Sequence, residues 1–222
     1  MRFLITAGPT REPIDPVRYI SNRSSGKMGY AIAEAALAAG HDVTLISGPV
    51  NLEAPRGAKL VPASTSEEMF DAVCQRADQS DICVLCAAVA DYKPACVSAT
   101  KIKKRGEKFS LELIPTHDIL DSLGQRQSRQ FVLVGFAAET DHVEENAGKK
   151  LRAKNCDIMV ANDVSGGDSG MESDMNEVTI LFRDGKKKKI YRAKKTFIAR
   201  ELVKIFLNFE RKMFDKKNVM IN

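Results

Sequence analysis

The run Ser24-Ser25-Gly26-Lys27-Met28-Gly29 closes a long loop and opens an Ala-rich stretch. Small residues and hydroxyls there let backbone N–H groups approach an anion, and a helix dipole favours negative charge, so a phosphate-bearing ligand fits. The same Ser-Ser-Gly also reads as an ordinary helix cap. Lys27 lacks the spacing of a Walker A loop, and Gly-x-Gly-x-x-Gly is absent. Further along, AAVADY (87–92) sets small residues and Asp91 after a strand-like run, and KIKK (101–104) supplies cations suited to a triphosphate or to developing negative charge. Lys150 and Lys154, one helical turn apart, can share an anion or form a solvated face, and Asp91 can equally cap a helix. Cys83-x-x-Cys86 invites a metal or redox reading. Residues three apart on a strand point to opposite faces, however, and no second pair follows, so no metal ligands are expected.

These residues need a frame. Short apolar, β-rich runs lie at Phe3–Ala7, Val43–Ser47, Ile82–Cys86, Phe131–Phe136 and Asp157–Ala161, as expected of strands covered on both faces. Helical patterns separate them: Gly29–Ala39 with Gly40 to end it, a capping box of Thr65 with Glu68 opening a helix to about Ala77, and Val143–Lys154. The alternation predicts a three-layer, doubly wound, Rossmann-like α/β fold with a mostly parallel sheet. The strand carboxyl ends, and the ligand, then lie along one edge. Two segments break the rhythm. FSLELI (109–114) reads as extended, and 177–192 reads as a hairpin about Asp184-Gly185, a small antiparallel appendage or subunit interface. Residues from Lys194 to Phe214 have amphipathic helical spacing. No linker or repeat interrupts the chain, so one domain over residues 1–222 is expected.

The chain has 222 residues, 44% hydrophobic and 28% charged, within the globular range. No apolar run reaches the roughly 20 residues of a membrane span. The start lacks a signal-peptide pattern, and five cysteines fit a reducing compartment, so the expected location is cytoplasmic. The net charge of +5 is uneven: residues 1–100 carry 9 basic and 11 acidic side chains, residues 101–222 carry 25 and 18. Lys186–Lys189 reads as solvated surface. Without Trp or interleaved aromatics, a nucleic-acid platform is not expected.

Read together, ITAGPTREPIDPVRYISNRSSGKMG (5–29), CAAVADY (86–92), KIKK (101–104), GFAAET (135–140) and ANDVS (161–165) resemble phosphopantothenoylcysteine synthetase, the phosphopantothenate–cysteine ligase of coenzyme A biosynthesis. The resemblance covers roughly residues 2 to 210. In many bacteria this domain follows a flavin-dependent decarboxylase; the chain as given starts within the ligase motif, so no flavin is expected, and a decarboxylase is at most a separate partner.

The resemblance implies that 4′-phosphopantothenate and L-cysteine are joined through an acyl-cytidylate, with CTP as co-substrate and Mg²⁺ on the triphosphate. It assigns catalytic roles to Asn22 and Lys101, with Asn22, Arg18, Ala87, Ala88 and Asp91 on the substrates. Arg18 would reach substrate phosphate from a neighbouring subunit, implying a homodimer with shared sites. Ser24, Gly26, Gly29, Cys86, Ala87, Asp91 and Lys101 would face the nucleotide, as would Thr116, His117, Asp118, Ile119, Phe136, Lys150 and Lys154. His117 stands where many members have proline, which predicts a looser backbone beside the base; a later Gly-Phe is Gly170-Met171. Two rivals from other classes are a nicotinamide-dependent Rossmann oxidoreductase and a non-enzymatic basic nucleic-acid module. The first lacks the glycine fingerprint and has Ser47-Gly48 where an acidic ribose ligand belongs. The second would show steeply salt-dependent affinity that survives Asn22→Ala.

Overall fold

In the computed structural model, residues 1–104, 106, 108–139, 141–163 and 173–219 are described. Val164, Ser165 and Gly170-Met171 lie outside them. Six parallel strands form the frame: β1 (Arg2–Ala7), β4 (Asp42–Ser47), β5 (Lys59–Pro62), β6 (Ile82–Leu85), β9 (Val132–Glu139) and β10 (Ile158–Asp163). Their spatial order is β5-β4-β1-β6-β9-β10, the order of a Rossmann sheet, with its switch point between β1 and β6. The hairpin about Asp184-Gly185 forms as β11 (Met175–Phe182) and β12 (Lys187–Lys194). It does not stand apart: β11 pairs antiparallel with β10 and extends the sheet to eight strands. The separate antiparallel pieces are β2 (Arg11–Pro13) with β3 (Tyr19–Ser21), and β7 (Tyr92–Pro94) with β8 (Leu113–Pro115). Of the extended run 109–114, therefore, only its end is strand.

The helices make the outer layers. On one face α1 (Lys27–Ala38) and α5 (Lys195–Val219) cover Phe3, Ile5, Val84, Val134 and Val160. On the other, α2 (Ser66–Cys74), α3 (Ile119–Gly124) and α4 (Val143–Ala153) cover Leu4, Ile46, Cys83, Leu133 and Met159. The alternation along each strand explains the near-continuous apolar runs, since both faces are buried. Each such side chain stabilises by roughly 1.5–3 kcal/mol. The two residues of the Cys-x-x-Cys pair fall on opposite faces, Cys83 in one core and Cys86 against the other.

Local rules also hold. Thr65 Oγ1 accepts from the Glu68 N–H at 3.2 Å, and both halves of the capping box are present. Gly40 ends α1 with φ of 79°. Gly29 lets α1 lie against β1: a Cβ there would stand 2.5 Å from the Ala7 Cβ. No described helix is long and apolar enough to cross a membrane.

Candidate active site

The site begins at the switch point, where the segments leaving β1 and β6 are laced together. Thr6 Oγ1 accepts from the N–H groups of Cys86 and Ala87, each at 3.1 Å. Thr10 Oγ1 accepts from the Ala90 N–H at 3.0 Å, and the Thr10 N–H donates to the Ala88 carbonyl at 3.2 Å. Asn22 reaches the same carbonyl: its Nδ2 donates to Ala88 O at 3.0 Å. That leaves the Asn22 Oδ1 and a second N–H proton to face solvent, one acceptor and one donor on an exposed amide.

A cleft of about 300 Å³ opens beside this seam. Ala87 and Asp91 line it from the β6 side, Thr116 to Ile119 from the turn before α3, Phe136 from β9 and Lys150 from α4. The turn around His117 is held on both sides without the proline. Thr116 donates through Oγ1 to Ala90 O at 2.6 Å and through its N–H to Asp91 O at 3.0 Å. Asp118 caps α3 by accepting from the Asp121 N–H at 2.8 Å. The His117 ring stacks on Phe70 with centroids 4.8 Å apart.

The two lysines, read as sharing an anion or as a solvated face, are separated by their partners. Lys150 lines the cleft, whereas Lys154 lies 3.0 Å from Asp118 and 3.5 Å from Asp121. Burial pushes the Asp118 carboxyl up, but the Asp121 N–H and Lys154 outweigh it and hold it below its ordinary value.

Ser24 and Ser25, with Asn22 and Lys27, line a second depression of about 460 Å³. Gly26 occupies the cap position of α1 with φ of 77° and no side-chain cap, so neither serine serves as the ordinary cap. The Gly26 N–H donates to Ser24 Oγ at 3.4 Å, so a serine hydroxyl borders the start of the helix. Lys27 also pairs with Asp174 at 2.6 Å. Lys195, unremarked in the sequence, is only 6% exposed at the start of α5 and lines an adjoining depression with Lys27. Burial, then Lys27, lowers its pKa.

Arg18 and Lys101 meet through a residue that sequence reading passed over. Asp15, 3% exposed, accepts from Arg18 Nε at 3.0 Å and Nη2 at 2.5 Å. It also accepts from the Ile102 N–H at 3.1 Å. Lys101 itself is exposed and does not line the cleft. Cys86 is not a ready nucleophile, for burial pushes its thiol up to about 12. Among the described residues no group of three or more His, Cys, Asp or Glu could cage a metal. An ion that arrives on a triphosphate needs only one or two carboxylates, and Asp91 presents one to the cleft.

Fold and site together define a Rossmann-ordered α/β domain with its ligand cleft at the switch point. The family model for the DNA/pantothenate metabolism flavoprotein C-terminal domain matches residues 1–209, and the chain belongs to that family. It is 52% identical over 188 residues to the Coenzyme A biosynthesis bifunctional protein CoaBC of Bacillus subtilis, covering 84% of this chain and 46% of that protein. The chain thus spans about half the length of the curated relatives it matches. Among solved structures, the C-terminal domain of CoaBC is 42% identical with a TM-score of 0.80, over 96% of each chain. A Cab2 mutant in complex with phosphopantothenate-cysteine shares the fold, with 17% identity and a TM-score of 0.78 over 98% of this chain and 88% of that one.

Proposed function

We propose that this chain is a phosphopantothenate–cysteine ligase, joining 4′-phosphopantothenate to L-cysteine in coenzyme A biosynthesis. The observation that carries the reading is the tie between Asn22 and Ala88, set between the cleft-lining residues Ala87 and Val89. It puts an exposed amide beside a cleft that holds Lys150, Asp91 and Phe136, so a nucleotide and an acyl group can meet at one edge.

In this reading a carboxylate oxygen of phosphopantothenate displaces pyrophosphate from the α-phosphorus of CTP. The cysteine amine then attacks the acyl carbon, CMP leaves with the bonding pair, and the amine proton passes to water. Lys150 and Lys101 offset the charge that builds on phosphate oxygens, and Asn22 orients the acyl group and donates to its oxyanion. Mg²⁺, when bound with the triphosphate, would neutralise its oxygens, and Asp91, which lines the cleft, would supply a carboxylate to it. Thr116 to Ile119 and Phe136 would frame the base. The positive end of α1, with Ser24 and Gly26 at its start, would take a phosphate.

The reading includes a cytoplasmic homodimer with shared sites, one domain over residues 1–222, and a decarboxylase, separate or fused, that acts on the product. Exposed Val17, Tyr19, Tyr92 and Leu113 give the two small sheets an apolar surface suited to a second copy. Arg18 uses Nε and Nη2 on Asp15, and its 46% exposure leaves an edge of the guanidinium for a partner's substrate phosphate.

The test is incubation with phosphopantothenate, L-cysteine, Mg²⁺ and each nucleoside triphosphate in turn, following pyrophosphate and the coupled product. Product with CTP is expected. No product with any nucleotide overturns the ligase reading, and product with ATP alone overturns only the choice of CTP.

A further inference from the structure

The geometry points to Asp15 as a positioning residue for Lys101, acting by a two-point grip on the backbone of Ile102. Asp15 is buried in the turn between β2 and β3, and its side chain is wholly inaccessible. Oδ1 accepts from the N–H groups of Val17 and Arg18, both at 2.9 Å. Oδ2 accepts from Arg18 and from the Ile102 N–H at 3.1 Å. The grip closes from the other side, because Arg18 Nη2 also donates to the Ile102 carbonyl at 2.9 Å. One carboxylate and one guanidinium thus hold both hydrogen-bonding groups of a single residue 87 positions away in the chain.

That residue is flanked by lysines. Ile102 is half-buried, while Lys101 and Lys103 on either side are exposed. No regular strand or helix fixes this segment, so the orientation of its lysines rests on such side-chain ties. A charge on a long flexible stem contributes to a transition state only if its base is held; a misplacement of about 1 Å costs on the order of 100-fold. An ionised pair gripping backbone groups is suited to that task, since its hydrogen bonds are charge-assisted.

The proposal rests on the ligase reading, with Lys101 as the activating cation. The experiment measures pyrophosphate release for Asp15→Asn, Lys101→Ala and the double variant in the full chain, together with trypsin cleavage at residues 101–104 under native conditions. Asparagine keeps the shape but turns an amide donor towards Arg18 and Ile102. Expected are a fall in kcat of about 10- to 100-fold for Asp15→Asn, an unchanged KM for cysteine and faster cleavage. In the Lys101→Ala background, Asp15→Asn should cost less than about 3-fold, because residues acting through one another are not additive. An equal loss in both backgrounds overturns the proposal, as does an unaltered rate with unaltered cleavage. Should Asp15→Asn not fold, Ile102→Pro removes the gripped N–H but also restricts the backbone of residues 101 and 102. Ile102→Gly, which keeps the N–H, serves as its control: Ile102→Pro must lose rate and Ile102→Gly must lose less. If the parent chain makes no product with any nucleotide, the ligase reading fails. Cleavage then decides the grip: faster cutting upholds it and an unchanged rate refutes it.

Discussion

The ammonium of Lys154 lies 3.0 Å from the carboxylate of Asp118, the residue that caps α3, while Lys150, one turn earlier on α4, faces the cleft. The pair that looks equivalent in the sequence therefore divides its work. Lys150 lines the cleft, and Lys154 anchors the turn that forms the cleft wall.

Lys150→Ala should raise the KM for the nucleotide about 10- to 100-fold, the loss of one charge-assisted contact of roughly 1.5–3 kcal/mol. Lys154→Ala should change that KM less and lower the melting temperature instead. Initial rates and thermal melts on both variants check the division.

Asp118 makes a contribution that depends on pH. Its folded carboxyl is held below the ordinary aspartate value, so its stabilisation is complete above the unfolded pKa and is lost as pH falls through the folded one. Urea unfolding of Asp118→Asn beside the parent should show a gap at pH 7 that narrows once the pH drops below about 4.

Asn22→Ala should still release pyrophosphate and should accumulate the acyl-nucleotide, since the amide acts on the acyl group after activation. Rapid quench with separation of the intermediate reads this out. Unchanged turnover would remove Asn22 from the reaction.

Gly29→Ala forces a methyl to within 2.5 Å of the Ala7 Cβ, and the close seating of α1 on β1 leaves it nowhere to go. Overpacking of this kind costs about 1–3 kcal/mol, to be seen as a lower denaturation midpoint with an unchanged slope.

The cysteines should react unequally. Cys96 is exposed, whereas Cys83 and Cys156 are buried, and burial pushes Cys86 and Cys156 up to about 12. Iodoacetamide at pH 8 should alkylate Cys96 first and leave Cys83, Cys86 and Cys156 until the chain unfolds. Peptide mapping over time decides it.

Five of the six frame strands were legible because each is a largely apolar run buried on both faces, and the capping box of Thr65 and Glu68 because its signature is local. β5, Lys59–Pro62, escaped notice: it is an edge strand whose residues are mostly exposed, so it has no apolar run. The division between Lys150 and Lys154 was hidden because α3 has six residues, too few for a period, yet its cap Asp118 and its first turn at Asp121 are the acidic partners of Lys154. Asp15 was hidden for another reason. Nothing in the local sequence announces a carboxylate that will meet Ile102 across 87 positions. The cleft residues 116–119 and Phe136 were found by resemblance to a family, not by any pattern of their own.

The sheet ends in two open margins, and each is defended. β12 carries Lys187, Lys188 and Lys189 along one margin, and β5 is four residues long, begins at Lys59 and stops at Pro62 on the other. Unpaired strand borders invite a strand from another molecule, and repelling lysines or a proline discourage that approach. Two lysines of that run are tied down, Lys187 to Glu144 and Lys189 to Glu177, so a strand docking on this border would have to bury or break ion pairs, which costs free energy.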